Sequence, residues 1–323
     1  MRSISSTLKS VVFLGSLLLF LIMGCHSGKT THNLSAESKA YLDEVLELLQ
    51  TKSVNRNKID WDAFTSDVQH FARNSQTVKD VYPAVRYAIT KLGDNHSYFN
   101  PAINDSKESE EKTLPVFPDE ITPSDIGYIR IPFCIGDTTQ TATYIKTIND
   151  KITAQNNPKI KGWIVDLRDN FGGNMWPMMA GIGSLLQSGT QGYFLDANDK
   201  PTEWRYNNGK AYSDTVLLAE NKNAISVYGK NKIAVLINTK TASSGEAIAV
   251  LFKGYSQAKL FGSPTFGVST GCESFPLSDG SRINLATSVF ADKNKNKYGN
   301  AIIPDIPGSD SEVLAIAIKW IYN

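Results

Sequence analysis

The sequence predicts an α/β fold preceded by a small helical region. From residue 126 onward, strand patterns alternate with helix patterns, which is the order of elements expected for a sheet covered by helices. The continuous apolar run Ile233–Ile237 is typical of a strand that is buried on both faces. Between residues 35 and 92, in contrast, apolar side chains recur at helical spacing and no convincing strand pattern occurs.

The α/β part is divided into elements by its apolar runs and its turn signals. Strands are predicted at residues 127–132, 161–167, 192–195, 232–238, 259–262 and 282–290. Helices are predicted near residues 143–155, 175–187 and 243–255, and apolar residues at helical spacing predict a last helix at 312–321.

The helical region is assigned to residues 36–100. Ser35 is a candidate N-cap, and Glu37 lies in the first turn, where a carboxylate interacts favourably with the helix dipole. A polar linker loop is expected at 101–125, and the α/β part then occupies 126–323.

The first 25 residues have the pattern of an export signal. Arg2 and Lys9 precede an apolar run at 11–23 that is too short for a comfortable membrane span. We therefore expect the chain to be exported, and residues 1–25 to be a leader that precedes the folded protein.

The leader ends at a cysteine that is a candidate lipidation site. Gly24 and Cys25 close a segment that resembles the bacterial lipobox, in which the cysteine is lipidated and becomes the new N-terminus. Residues 26–35, which are rich in small polar side chains, would then be a tether between the domain and a bacterial membrane, in the periplasm or at the cell surface. An uncleaved signal anchor with an incidental cysteine is the alternative.

Composition excludes some classes of function. The chain has 33 basic and 32 acidic residues, and removing Arg2 and Lys9 with the leader leaves 31 basic residues against 32. Such a balance provides no long-range field that would attract a nucleic acid, so we expect no nucleic-acid partner. The few histidines lack the spacing of metal ligands and no phosphate-binding loop occurs, so neither a metal nor a cofactor is expected.

Two cysteines remain in the folded part, Cys134 and Cys272. An exported compartment permits a disulfide bond between them, and two separate, half-buried thiols are the alternative.

The segment from Thr241 to Glu246 carries the strongest chemical signal. It follows the apolar strand directly and opens an apolar helix, so Ser243 is expected at a helix N-terminus, where free backbone N–H groups stabilise a developing oxyanion. Serine and threonine also cap helices at such positions, and simple capping is the alternative.

A second signal is the turn after the strand at 161–167, which ends in Gly172 and Gly173. Paired glycines allow the backbone to approach a ligand closely and to present N–H groups to an anion. This turn could supply half of an oxyanion hole, and on this pattern alone a plain tight turn is the preferred interpretation.

Together, four motifs resemble the C-terminal processing (tail-specific) peptidases. Residues 166–173 are similar to the DLRxNxGG signature of that family, and 241–246 to its nucleophile segment. Residues 261–267 resemble the VGxxTFG stretch, and 304–306 the PDI element. The resemblance implies a crotonase-like α/β core and the cleavage of peptide bonds, with Ser243 in the position of the nucleophile.

The base that would activate the serine differs from that of the best-known bacterial branch. A lysine follows the TFG element in that branch, and Val268 stands there in this chain. The segment from Asp94 to Ser97 instead resembles the D-x-H-[ST] segment of the branch that contains tricorn-type proteases, in which a histidine serves as base. The resemblance therefore assigns the base to His96, and histidine titrates in the range that this role requires.

The third member of the relay is left open. The tricorn-type pattern has a glutamate near the PDI element, but residues 297–300 contain no carboxylate, and Asn95 stands where that pattern has a serine. Glu246, one helical turn after the nucleophile, is a candidate for the orienting carboxylate, as are Asp94 and Glu273.

For the oxyanion hole we expect the backbone N–H of Ser244 together with that of Gly173 or Gly172. Backbone donors do not depend on which side chain the residue carries, so a test must add bulk beside the donor. We expect Gly173→Val to lower turnover strongly without unfolding the protein.

Many members of the family carry a PDZ domain, but only about thirty residues separate His96 from the first α/β strand, which leaves no room for one. Selection of hydrophobic protein tails is therefore not implied. The expected partner is a peptide or protein substrate, and small peptides and loosely folded segments are equally compatible with the sequence. A binding module that has lost its chemistry is one alternative, and a serine esterase or amidase is another.

Overall fold

The computed structural model describes residues 34–102 and 119–323. The leader with Cys25, the tether up to residue 33 and most of the 101–125 linker lie outside the described residues. No helix in the described ranges is long and apolar enough to cross a membrane.

Three helices form the N-terminal part: α1 (Ala36–Lys52), α2 (Trp61–Ala72) and α3 (Val78–Lys91). The predicted N-cap is confirmed, since the Ser35 hydroxyl accepts a hydrogen bond from the Ser38 N–H at 3.1 Å. Thr77 and Asp80 form a capping box at the start of α3.

The helical part packs on a sheet and shares one hydrophobic core with it. Leu42, Val45 and Val85 from the helices belong to the same buried cluster as Ile283 and Leu285 from a strand. The last residues of the predicted helical region form a short strand, β1 (Tyr98–Asn100), which pairs with that strand.

The α/β part begins with β2 (Ile126–Arg130), α4 (Thr138–Gln155), β3 (Gly162–Asp166) and α5 (Met175–Gly181). An antiparallel series follows: β4 (Gly189–Asp196), β5 (Pro201–Asn207), β6 (Lys210–Ser213) and β7 (Val216–Glu220). The chain continues with β8 (Ile233–Ile237), α6 (Ser244–Lys253), β9 (Ala258–Gly262), β10 (Thr270–Pro276), β11 (Arg282–Asp292), β12 (Ile306–Pro307) and α7 (Val313–Tyr322).

The described strands form two sheets. A parallel sheet has the order β12-β9-β8-β3-β2, and an antiparallel sheet has the order β1-β11-β4-β5-β6-β7 with β10 on the other side of β11. The mixed α/β fold predicted from the sequence is therefore confirmed.

Strand β8 is buried on both of its faces, as its apolar run predicted. Ile233, Val235 and Ile237 belong to the core shared with α5 and α6, whereas Ala234 and Leu236 belong to the core under α7. The parallel sheet thus lies between helices, and the carboxyl ends of β2, β3 and β8 meet at one edge. Ligands of open α/β sheets bind outside such an edge.

Several sequence predictions of elements were incomplete. Strands β5, β6, β7, β10 and β12 were not predicted, and the helix expected at 175–187 ends at Gly181 and is followed by one turn of 3-10 helix. Helix α4 starts at Thr138, five residues before its predicted start, because Asp137 caps it and forms a capping box with Gln140.

Candidate active site

Ser243 lies between β8 and α6, and its backbone conformation is unusual for a residue other than glycine. Its φ is 51° and its ψ is −118°, in a region that residues other than glycine rarely adopt. Two neighbouring hydrogen bonds fix the junction: the Ala242 N–H donates to the Asn170 carbonyl, and the Thr241 hydroxyl to the Leu167 carbonyl, both at 2.9 Å. Strain of this kind is kept only where the surrounding structure enforces it.

Glu246 helps to hold Ser243 in this conformation. Its buried carboxylate accepts hydrogen bonds from the Ser243 N–H at 2.8 Å, the Thr265 hydroxyl at 2.5 Å, and the N–H groups of Gly267 and Val268 at 3.0 Å. Burial raises the pKa of Glu246, and the four donated hydrogen bonds oppose that rise. The carboxylate therefore joins the backbone of Ser243 to the 265–268 loop.

This geometry corrects the role expected for Glu246. All of its hydrogen bonds go to the serine backbone and to the 265–268 loop, and none goes to His96. Glu273, another candidate, accepts from the Thr287 hydroxyl at 2.8 Å instead of from the histidine.

His96 lies in a turn that follows α3, and the carboxylate of Asp94 stabilises this turn. Asp94 Oδ1 accepts from the N–H groups of His96 at 3.0 Å and Ser97 at 2.6 Å, and its Oδ2 accepts from the Ser97 hydroxyl at 3.0 Å. The same hydroxyl accepts from the Ala286 N–H in β11 at 2.9 Å, so the turn is attached to the sheet. Asp94 thus fixes the backbone of His96.

Thr270, at the start of β10, contacts the imidazole ring, and sequence reasoning missed it. His96 Nδ1 lies 2.8 Å from Thr270 Oγ1, and the Thr270 backbone also forms a hydrogen bond with the ring. When Nδ1 carries the ring hydrogen and donates it to Thr270, Nε2 is free to take a proton. No motif marks Thr270, because a threonine at a strand start is ordinary.

Burial lowers the pKa of His96 below its usual value. The nearby charge of Asp94 and the hydrogen bond to Thr270 act in the opposite direction and are smaller. The ring is therefore neutral at neutral pH, which is the state that a proton acceptor requires.

One cavity of about 670 Å³ brings these segments together. His96, Thr270, Gly173, Ser243 and Ser244 all line it, although they come from separate parts of the chain. Large apolar side chains complete its wall: Met175, Trp176, Phe194 and Phe290. The described residues contain no cluster of His, Cys, Asp and Glu side chains that could hold a metal ion.

Two backbone N–H groups in this cavity are free to bind an anion. In the described ranges, neither the N–H of Gly173 nor that of Ser244 donates to a protein acceptor. Gly172 does not belong with them, which corrects the sequence expectation, because its N–H donates to Asn170 Oδ1 at 3.0 Å. The two candidate donors for an oxyanion hole are therefore the N–H groups of Gly173 and Ser244.

The bulk test expected at Gly173 is also wrong. Gly173 has a φ of +100°, and a Cβ there would lie 2.0 Å from the Cys134 carbonyl oxygen. Gly173→Val would therefore disturb the fold together with the site, so loss of turnover would not be specific.

Cys134 and Cys272, the two cysteines of the described part, are free thiols. Of the two possibilities left open by the sequence, the structure has separate thiols and not a disulfide bond. Burial raises the pKa of Cys134 to about 11 and that of Cys272 to about 12, so both stay protonated at neutral pH.

Other motif residues have structural roles. Asp166 and Arg168 form a buried ion pair at 2.6 Å, and Arg168 also binds Glu120 and the carbonyl of Asp310. Asp305 of the PDI element accepts from Lys253 and from the Leu260 N–H, which places β12 beside β9.

The fold and the motifs around this cavity define a hydrolase of the peptidase class. Residues 125–307, which are more than half of the chain, match the family model described as peptidase family S41. The chain belongs to peptidase family S41.

Two curated relatives are similar to this chain. The nisin-resistance protein of Lactococcus lactis subsp. lactis is 30% identical over 251 residues, which cover 77% of this chain and 76% of that protein. The carboxy-terminal processing protease CtpA of Bacillus subtilis (strain 168) is 29% identical over 171 residues, or 53% of this chain, and the match spans only 32% of the relative.

Solved structures resemble the whole fold. A lipoprotein from Streptococcus agalactiae has a TM-score of 0.70 at 26% identity, with 90% of this chain and 97% of that chain covered. The photosystem II D1 C-terminal processing protease, at 13% identity and a TM-score of 0.60 over 87% of this chain and 97% of that one, shares the fold.

Proposed function

We propose that this protein is a serine endopeptidase in which Ser243 is the nucleophile and His96 the general base. The observation that carries the proposal is the strained, partly exposed serine at the start of α6, with the free N–H groups of Gly173 and Ser244 in the same cavity. A conformation that costs on the order of 1–3 kcal/mol is expected where chemistry requires it.

The proposed reaction is acyl transfer. His96 Nε2 takes the proton from Ser243 Oγ as that oxygen attacks the carbonyl carbon of the scissile bond. The N–H groups of Gly173 and Ser244 bind the negative oxygen of the tetrahedral intermediate. The imidazolium then protonates the leaving amine, and water hydrolyses the acyl-enzyme through the same base.

The proposed site orients its histidine without a carboxylate in direct contact. Thr270 holds Nδ1–H, and Asp94 stabilises the positive charge of the imidazolium from a distance. The transition-state charge is therefore offset less strongly than in a Ser-His-Asp triad, and we expect moderate turnover.

We further propose that the α/β part is a crotonase-like core without a PDZ domain. The support is the resemblance of the four motifs and the short interval between His96 and β2. Substrate selection would then depend on the cavity itself, and a small or loosely folded peptide is the proposed substrate. One relative is named for resistance to the peptide nisin, which agrees with a peptide substrate.

The proposed location is an exported one, with the chain anchored through a lipid at Cys25 and residues 26–35 as the tether. Support comes from the leader pattern and from the similarity to a protein described as a lipoprotein. Cys25→Ser is expected to move the protein from the membrane fraction to the soluble fraction.

A fluorophosphonate probe tests the proposed chemistry. We expect labelling of the wild-type protein, none of Ser243→Ala, and much slower labelling of His96→Ala. Ser226→Ala, which removes an exposed hydroxyl elsewhere, is the matched control and should label normally. Absence of labelling at any pH would favour a non-catalytic binding module. Labelling with hydrolysis of esters but not of peptides would favour an esterase.

A further inference from the structure

A second cavity, of about 420 Å³, adjoins the candidate active-site cavity, and the proposed chemistry does not use it. The two cavities share Phe194, Gly271 and Cys272 in their walls. The second cavity is therefore next to the cavity that contains Ser243.

The acidic groups that line the second cavity are already engaged. Asp196 accepts from two backbone N–H groups at 2.8 and 2.9 Å and from Arg56 at 3.3 Å. Glu273 accepts from the Thr287 hydroxyl at 2.8 Å. Much of the acceptor capacity of this cavity is thus taken up by the protein.

Two ammonium groups and three hydroxyl groups of the same cavity are not engaged. In the part of the chain that the structure describes, the ammonium groups of Lys52 and Lys200 have no ion-pair partner. The hydroxyl groups of Thr202, Ser213 and Ser288 also have no side-chain hydrogen bond there, and Ser288 is only 7% exposed. The cavity therefore offers free cationic and hydroxyl donors together, which is the donor set that a carboxylate requires.

Because its acidic groups are engaged while several of its donors are free, we infer that the second cavity binds a carboxylate of the peptide substrate. The inference rests on the proposed peptidase function and adds the substrate class. An acidic side chain and the C-terminal carboxylate of a peptide have the same chemistry, so both are tested. Exposed charge pairs contribute little each, so the expected preference for a carboxylate is roughly fivefold in kcat/KM.

The test compares matched peptides in wild-type protein and in the double variant Lys52→Gln/Lys200→Gln. One peptide pair differs by Glu against Gln at positions distal to the cleaved bond, and a second pair ends in a free acid or an amide. The ratio of kcat/KM within a pair should be about five for wild type and fall close to one in the double variant. High salt should reduce the wild-type ratio, because Lys52 and Lys200 are exposed to solvent.

Lys79→Gln/Lys222→Gln is the matched control, since it removes two exposed ammonium groups outside both cavities. It should leave the ratio unchanged. The pair that shows the preference identifies the source of the carboxylate. A ratio near one in wild type, or one that the double variant does not change, overturns this inference while fluorophosphonate labelling of Ser243 upholds the peptidase. Absence of both labelling and hydrolysis overturns both.

Discussion

The hydroxyl of Ser244 donates a hydrogen bond of 2.6 Å to the carbonyl oxygen of Gly173. This bond joins the two residues whose free N–H groups form the candidate oxyanion hole. It fixes the distance between the donors before substrate arrives, and preorganised donors stabilise a transition state without further rearrangement.

Removing that hydroxyl should therefore lower turnover more than binding. We expect Ser244→Ala to reduce kcat about tenfold with little change in KM, and to reduce stability by about 1 kcal/mol. Steady-state kinetics on a peptide and thermal unfolding measure the two effects. Unchanged kcat would mean that the bond between Ser244 and Gly173 does not organise the site.

Thr270 is expected to act as a positioning residue for His96. Thr270→Val keeps the shape of the side chain but removes the oxygen 2.8 Å from Nδ1, so we expect kcat to fall roughly fivefold. Thr270→Ser restores the oxygen and should recover most of the activity. Equal kcat values for the Val and Ser variants would contradict this role.

The pH dependence should reflect the lowered pKa of His96. The base must be neutral to act, so kcat/KM should rise with pH through the pKa of His96 in the free enzyme and then level off. Since burial lowers that pKa, activity should persist to a lower pH than an unperturbed histidine, with a pKa of about 6.5, would permit. An acid limb centred above that value would contradict the assignment.

Glu246 should matter for both folding and activity. Its four partners are all donors, so Glu246→Gln points an amide N–H₂ group at groups that also donate. We expect a loss of about 2–3 kcal/mol in the free energy of unfolding and strongly reduced labelling of Ser243. Glu47→Gln, at an exposed carboxylate in the middle of α1, is the control. Normal stability and labelling of Glu246→Gln would show that the turn at Ser243 does not depend on the Glu246 carboxylate.

Much of the site was predictable because its motifs are local. The buried strand β8 followed by a small polar turn and an apolar helix placed Ser243 at the start of α6 from sequence alone. Gly172 and Gly173 could not be separated in the same way. Which of the two N–H groups is free depends on the Asn170 side chain, and only the folded turn sets its direction.

The missed parts of the fold and site depend on long-range pairing. Thr270 meets His96 across 174 positions of sequence, so no local pattern reveals their contact. The hairpin of β5 and β6 was a different case. Asn208 and Gly209 both have positive φ, and an Asn-Gly pair between strand patterns is a strong hairpin signal that the sequence contained.

A crystal structure of the protein after reaction with a fluorophosphonate would show directly whether Ser243, His96 and the two backbone donors form one catalytic site. We expect a phosphorus atom bonded to Ser243 Oγ, a phosphoryl oxygen about 3 Å from the N–H groups of Gly173 and Ser244, and the imidazole of His96 in contact with the adduct. An adduct on another residue, or a phosphoryl oxygen that faces solvent while His96 points away, would contradict this expectation.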